Sequence, residues 1–367
     1  MNKTRTAVIG AGFISEFHIR ALREDPAVEI VGICESDRAR AQKAAQMWDV
    51  PFVCGTVDEL IEKARPQIAH VVTPPPDHIL TARRCMEAGV APFIEKPVAV
   101  SGAECRLLAA IQLRTRSYVG VNHNGIFVPT FRRVVQQIQE CRVGAVQHVI
   151  SCLNVPLRQL SAGQHSHWMF REPRNILLEQ GPHPLSQVCF LLGDILRMSV
   201  IQTGERTLNT GRSFFDTWQA SFACARGTAQ CYFSFGKEVP EWWLYVIGQD
   251  GAVVADFRRN IVRFCGKSRL VEPAAYAQTA LGNAFAEARQ GMRNFMDYGL
   301  GFLKIRPTAD AFYTSLRDSV HMFHRAYRTQ NEPPAALDQA CHIVETCERM
   351  ADVASLASLG IAANANF

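Results

Sequence analysis

The sequence predicts an α/β chain in two parts, an N-terminal doubly wound parallel sheet and then an α+β domain on an open, mostly antiparallel sheet. Three observations carry this. Over residues 1–122, short β-branched runs alternate with longer helical stretches, the pattern of parallel strands joined by right-handed crossovers. A glycine turn, Gly10-Ala11-Gly12, stands between the first run and the first helical stretch. After residue 123 the rhythm changes to short aromatic and β-branched runs separated by glycine-containing turns, which hairpin-linked antiparallel strands explain better than further βαβ units.

Each element follows in order. Thr6–Ile9 reads as a strand and Phe13–Arg23 as a helix; Val28–Cys34 is a second strand, followed by an alanine-rich helix over Arg38–Met47. Apolar runs at Ile68–Val72, Ala91–Ile94 and Tyr118–Val121 alternate with helical stretches at 77–88 and 101–114. Beyond them, Phe131–Cys141 is helical and 145–153 strand-like. Strands are then expected at Met198–Thr203, Phe214–Cys224, Ala229–Phe235, Trp242–Gly248 and Ala252–Phe257. Residues 276–352 return to helix, interrupted near Asn331-Glu332-Pro333-Pro334. The expected domains are 1–122, which binds a dinucleotide, and 123–367, for substrate binding and oligomerisation, with the C-terminal helices free to pack back on the first.

Composition narrows the class. Of the 367 residues, 48% are hydrophobic and 20% charged, ordinary for a chain that buries large cores. The net charge of +5 is spread along the sequence, without the basic run of a nucleic-acid arm. Twelve cysteines include no Cys-x-x-Cys pair, so reduced, buried thiols and a cytoplasmic location are expected, with no bound metal. No uninterrupted apolar run reaches the length of a membrane span.

The chemistry begins at Gly10-Ala11-Gly12-Phe13-Ile14-Ser15. Gly10 allows the tight turn, and Gly12 removes a side chain so that a pyrophosphate can approach the helix N-terminus. This is the phosphate-binding turn of a Rossmann domain, with Phe13 and Ile14 beside the cofactor. Glu35, at the end of the second strand, is placed to accept hydrogen bonds from ribose hydroxyls and to repel a 2′-phosphate, which favours NAD over NADP. Arg38 lies close enough in sequence to weaken that preference.

Two further carboxyl-edge segments follow buried strands. Thr73-Pro74-Pro75-Pro76-Asp77-His78 offers Thr73, Pro74 and His78 to the cofactor, although His78 could equally pack and Asp77 cap a helix. Glu95-Lys96-Pro97 places a carboxylate and an ammonium there, and Asn122 ends the next strand. A lysine beside a positively charged nicotinamide would have its pKa lowered, which suits it to hold or deprotonate a hydroxyl. In the second domain, Glu179 and His183 flank Gly181-Pro182. The carboxylate could orient an imidazole that takes a proton near pH 7, or Glu179 could cap and His183 pack.

Together these stretches resemble the Gfo/Idh/MocA oxidoreductases (glucose–fructose oxidoreductase, inositol 2-dehydrogenase, rhizopine catabolism). The matching motifs are Ala-Val-Ile-Gly-Ala-Gly, Val-Thr-Pro-Pro-Pro-Asp-His, Glu95-Lys96-Pro97 and the Gly-x-His helix start, in the family's order over residues 5–193. The resemblance implies reversible NAD-linked oxidation of a secondary alcohol on a sugar, cyclitol or sugar nucleotide, in homodimers or homotetramers formed through the second sheet. It implies that Lys96 is the active-site lysine and His183 an acid/base. Glu179 stands where many members carry Asp, Ser186 departs likewise, and the Asn122–Gly125 stretch lacks an arginine often found there. His123, Trp168, Arg171 and Arg174 are the expected substrate contacts, with similarity to members that oxidise the 3-hydroxyl of UDP-N-acetylglucosamine-type substrates. A sugar acid fits the two arginines as well. Rival readings are an isomerase or eliminating enzyme with transiently reduced NAD, a redox-silent NAD-binding regulator, and a metal enzyme using His165, His167 and His183.

Overall fold

The computed structural model describes residues 3–303, 305, 310–358 and 365–366. The chain forms two compact units, Met1–Asn124 with Ser315–Glu345, and Gly125–Thr314 with Thr346–Phe367.

In the first unit, the described residues form a six-stranded sheet of β1 (Thr4–Ile9), β2 (Val28–Cys34), β3 (Val53–Cys54), β4 (Ile68–Val71), β5 (Ala91–Glu95) and β6 (Gly120–Asn122). Their spatial order is β3-β2-β1-β4-β5-β6 and every pairing is parallel. The order reverses between β1 and β4, so the carboxyl ends of those strands open on the crevice where such folds take ligands. Strand residues are buried almost throughout, as in β4 and β5, because helices cover both faces of a parallel sheet.

The helices follow from local chemistry. Asp37 caps the helix Arg38–Trp48 by accepting from the Arg40 amide, and Ser101 caps Gly102–Thr115 through the Glu104 amide. The helix Phe13–Glu24 buries Ile19 and Leu22 in a core shared with Val8, Ile33, Ile68 and Phe93. Leu316, Val320 and Phe323 of the helix Ala311–Arg328 join that core. Each such side chain contributes about 1.5–3 kcal/mol on burial.

In the second unit, the described strands form a mixed sheet. It comprises β7 (Val146–Asn154), β8 (Ile195–Thr207), β9 (Ser213–Cys224), β10 (Gly227–Ser234), β11 (Glu241–Gly248), β12 (Gly251–Asp256), β13 (Ile261–Gly266) and β14 (Ala365–Asn366). The order is β13-β12-β11-β7-β10-β9-β8-β14. β7 and β10 pair in parallel and the other neighbours antiparallel, as the hairpin spacing predicts. The helix Pro182–Leu192 packs on β7 and β10. Two strands exceed the sequence expectation. β8 is 13 residues long, and its second half is mostly exposed, so no apolar alternation announces it. β13 has half-buried and exposed residues only, Arg263 and Cys265 being exposed, and lies at the far edge of the sheet from β8.

Candidate cofactor and active site

Gly10 has φ +103°, and a Cβ there would lie 2.8 Å from the Val72 carbonyl oxygen. Only glycine takes that turn without strain. Gly12, in contrast, has open space around its Cβ position and starts the helix Phe13–Glu24 without a side-chain cap. The helix therefore presents backbone N–H groups to an open approach, as pyrophosphate binding requires. Ser15 bonds the Gly12 carbonyl through both its amide and its hydroxyl, which fixes the turn. Phe13 is 76% exposed beside it, edge-on to Phe17.

Glu35 sits across that turn. One carboxylate oxygen accepts from the Ala11 amide at 2.9 Å and the other from the Asp37 amide at 3.0 Å. Burial pushes its pKa up, but the two amides and the Arg40 guanidinium outweigh that and hold it below the ordinary value. Arg40, 3.6 Å from Glu35, is the neighbouring cation, where the sequence pointed to Arg38. Asp37 caps the helix, and the helical phase that follows turns Arg40 back towards the carboxylate.

At the next strand ends, Glu95 and Asn122 are buried on β5 and β6. Asn122 donates to one Glu95 oxygen and the Lys96 amide to the other, at 3.1 Å. His18 Nε2 also lies 2.7 Å from Glu95. Burial alone would raise the carboxyl, yet the His18 hydrogen bond and charge, the Asn122 amide and the Lys96 charge bring it down to about 2. It is a carboxylate at neutral pH. Lys96 is half-buried beside it, and the Lys96–Pro97 bond is cis.

Near these strand ends, three buried polar atoms among the described residues have no protein partner: Thr73 Oγ1, Asn122 Oδ1 and His123 Nδ1. Buried polar atoms are normally bonded, so these suit a ligand with polar edges, as the nicotinamide end of NAD has. Burial lowers the His123 imidazole to about 4, so it stays neutral. His78 plays a different part. It is fully buried, and its ring nitrogens face the Pro97 and Thr73 carbonyls at 2.8 Å each, so it braces two loops and presents neither nitrogen to a ligand.

The remaining candidates lie in the second unit. Glu179 ends the helix Asn175–Gln180, and His183 stands in the first turn of Pro182–Leu192. Both are half-buried. The backbone at Gly125 approaches so closely that a Cβ would lie 2.9 Å from the His183 carbonyl oxygen, and Gln187 donates to the Gly125 carbonyl at 2.8 Å. Ser186 donates to the His183 carbonyl at 2.9 Å, a local helix contact in place of the acid common at that position. The His183 ring lies 6.1 Å from that of Trp242, whose buried indole N–H has no protein partner. Sequence reading placed Trp242 only in a strand; nothing in its local pattern marks it as a neighbour of His183.

Trp168 is buried, and its carbonyl accepts from Asn175. Arg171 is exposed. Arg174 is engaged within the protein, with Glu348 at 2.6 Å and Glu172 at 2.9 Å. Its guanidinium therefore has carboxylate partners already. A groove of about 1010 Å³ in the same unit, lined by Arg133, Arg142, Gln290 and Arg293, holds none of the expected site residues. Among the described residues, no three His, Cys, Asp or Glu side chains cluster as a metal would need, and no helix is long and apolar enough to cross a membrane. The described cysteines are all free thiols.

Residues 4–123 match the oxidoreductase family with an NAD-binding Rossmann fold, Gfo/Idh/MocA. That description agrees with the expected cofactor, NAD. D-Apiose dehydrogenase of Paraburkholderia graminis is 25% identical over 199 residues, 54% of this chain and 52% of that protein. The chain thus spans about half the length of this curated relative. Levoglucosan dehydrogenase, in a complex with NADH and L-sorbose, superposes with a TM-score of 0.79 at 15% identity, covering 97% of each chain. UDP-N-acetylglucosamine 3-dehydrogenase from Acidithiobacillus ferrooxidans gives 0.70 at 16% identity, covering 96% of this chain and 98% of the other. Likeness at such identities establishes a shared fold.

Proposed function

Because residues 4–123 match the Gfo/Idh/MocA oxidoreductase family model, we propose that the chain is an NAD-dependent dehydrogenase acting on a secondary alcohol of a sugar-type substrate. The observation that carries this reading is the Glu95–Asn122–Lys96 arrangement at the strand ends, on the same sheet edge as an open glycine turn. NAD, when bound, accepts or returns the hydride; the chain's own residues bind, orient and move the proton. Gly12 and the following helix amides would hold the pyrophosphate, and Glu35 the adenosine ribose. Thr73, Asn122 and His123 offer unpaired polar atoms to the nicotinamide end or the substrate.

Lys96 and His183 are the groups we assign to the hydroxyl proton, with Glu179 as the partner that tunes the imidazole. Arg171 and Trp168 are assigned to the substrate, and exposed Arg171 is the better match for an anionic group, since Arg174 is already paired. Sugar nucleotides and sugar acids are the favoured substrate classes. The names of the similar dehydrogenases support a sugar-type substrate in general. Assembly into homodimers or homotetramers through the open face of the second sheet, in the cytoplasm, completes the proposal.

The test is NADH formation from a panel of UDP-sugars, cyclitols and sugar acids. Turnover with one of these classes at least a hundredfold above the others is expected, on the scale of lost polar recognition. No NADH from any of them, with NAD retained through purification, would sink the dehydrogenase reading.

A further inference from the structure

A line of buried imidazoles runs from Glu95 through the first unit. His18 Nδ1 faces His70 Nδ1 at 2.8 Å, and His70 Nε2 faces His324 Nε2 at 2.9 Å. All three rings have no exposed surface, and Phe93 packs against both His18 and His70. Burying three imidazoles in an apolar core costs stability unless their nitrogens are paired.

Counting hydrogens shows what the line can do. A neutral imidazole has one N–H and one accepting nitrogen. Glu95 is a carboxylate, so His18 Nε2 donates to it. When all three rings are neutral, His18 Nδ1 accepts, His70 Nδ1 donates, His70 Nε2 accepts and His324 Nε2 donates. That leaves His324 Nδ1 a bare acceptor, and it is buried without a protein partner. The one vacant acceptor lies at the end of the line away from Glu95.

A proton bound at His324 Nδ1 reverses the line. The His324 Nε2 hydrogen crosses to His70 Nε2, and the His70 Nδ1 hydrogen crosses to His18 Nδ1. His324 and His70 end neutral in their other tautomers, and the positive charge rests on His18 against Glu95. One proton enters, two cross hydrogen bonds, and no electron moves.

We propose that Glu95, His18, His70 and His324 form a buried proton relay, in which uptake or release at His324 appears as charge on His18 beside Glu95 and Lys96. His70 and His324 are positioning residues that act through His18 and Glu95. Burial holds His70 well below its ordinary range, with the charges of its His18 and His324 neighbours adding to this, and it brings His324 to about 3. Of the three rings, His18 is the one in hydrogen-bond contact with a carboxylate, Glu95 at 2.7 Å. At the His324 end Asp25 favours charge on His324, while Arg328, His321 and His18 oppose it. At the Glu95 end Lys96, His78 and His123 lie within electrostatic reach of the carboxylate. Alcohol oxidation releases one proton per turnover, so a relay ending beside Lys96 serves the reaction proposed above, and this use of it rests on that reading.

The experiment is ¹⁵N-imidazole NMR of the whole protein without cofactor or substrate, across about pH 5 to 9, where imidazoles ordinarily titrate. His70 is expected to stay neutral while its hydrogen moves from Nδ1 to Nε2, at the same midpoint at which His18 becomes an imidazolium and His324 changes tautomer. In His70→Gln, whose amide cannot pass a proton on, the changes at His18 and His324 should no longer share a midpoint. A single His70 tautomer at every pH in the unmodified protein would overturn the relay and leave the dehydrogenase reading standing. With a substrate in hand, His70→Gln should also lower kcat about tenfold at unchanged KM, within the range of one proton-transfer contribution. An unaltered kcat and pH profile in a folded variant would show that the line does not serve turnover.

Discussion

The Ala11 amide donates to the Glu35 carboxylate at 2.9 Å, which ties the glycine turn to the tip of the second strand. The residue we assign to the ribose is therefore also bonded to the turn we assign to the phosphates. Replacing Glu35 with Ser removes the carboxylate and frees Arg40, now 3.6 Å away. The NAD-over-NADP preference, read as a ratio of kcat/KM values, should fall by about a hundredfold, the scale of losing a charged hydrogen-bond partner and a repulsion together. An unchanged ratio would remove Glu35 from cofactor selection.

Gly10 and Gly12 separate folding from binding. Gly10→Ala places a Cβ 2.8 Å from the Val72 carbonyl oxygen at φ +103°, and should cost about 1–3 kcal/mol in denaturant unfolding. Gly12→Ala meets open space. It should unfold like the parent but bind NADH at least tenfold more weakly in a fluorescence titration, because the methyl occupies the pyrophosphate approach.

Lys96→Ala should reduce turnover by about 10²–10⁴-fold, the usual worth of a proton-transfer group, while NADH affinity stays within about threefold of the parent. Full activity in that variant would defeat the assignment. A parallel loss of NADH binding would instead make Lys96 a cofactor residue.

Acid should destabilise the first unit through its neutral imidazoles. Burial lowers His123 to about 4 and His324 to about 3 from an ordinary 6.5. As pH falls through about 6.5 the unfolded chain binds protons that the folded chain refuses. Stability is therefore complete above that pH and declines below it, by about 1.4 kcal/mol per pH unit for each such histidine, until the folded pKa is reached. Glu95, depressed to about 2, adds loss in the same direction once pH falls below about 4.3, the ordinary value for glutamate. Urea midpoints from pH 7 to pH 5 check this, and His123→Asn should flatten the slope by one histidine's share.

The first sheet was legible except for the two-residue β3, because its signals are local. A β-branched run, a glycine turn and an amphipathic helix sit within about thirty residues of one another, the span of a βαβ unit, and the strand ends at Glu35, Glu95 and Asn122 could be named in advance. The second sheet was legible where apolar residues mark a buried face, and failed at β13 and the outer half of β8, where half-buried or exposed residues satisfy a ladder without any buried side chain. Arg40 was missed because its bearing on Glu35 depends on helical phase after the Asp37 cap. The imidazole line was out of reach. His70 lies 52 residues from His18 and 254 from His324, and a single histidine in an apolar run has no period to read.

His78 has one more implication. Its ring is pinned between carbonyls of two loops, at Thr73 and Pro97, so those loops are tethered to a common post. An insertion in either would drag the other out of register, and a change made to retune one contact would alter its counterpart too. Engineering at this edge should therefore treat the two loops as a single movable part and vary them in pairs.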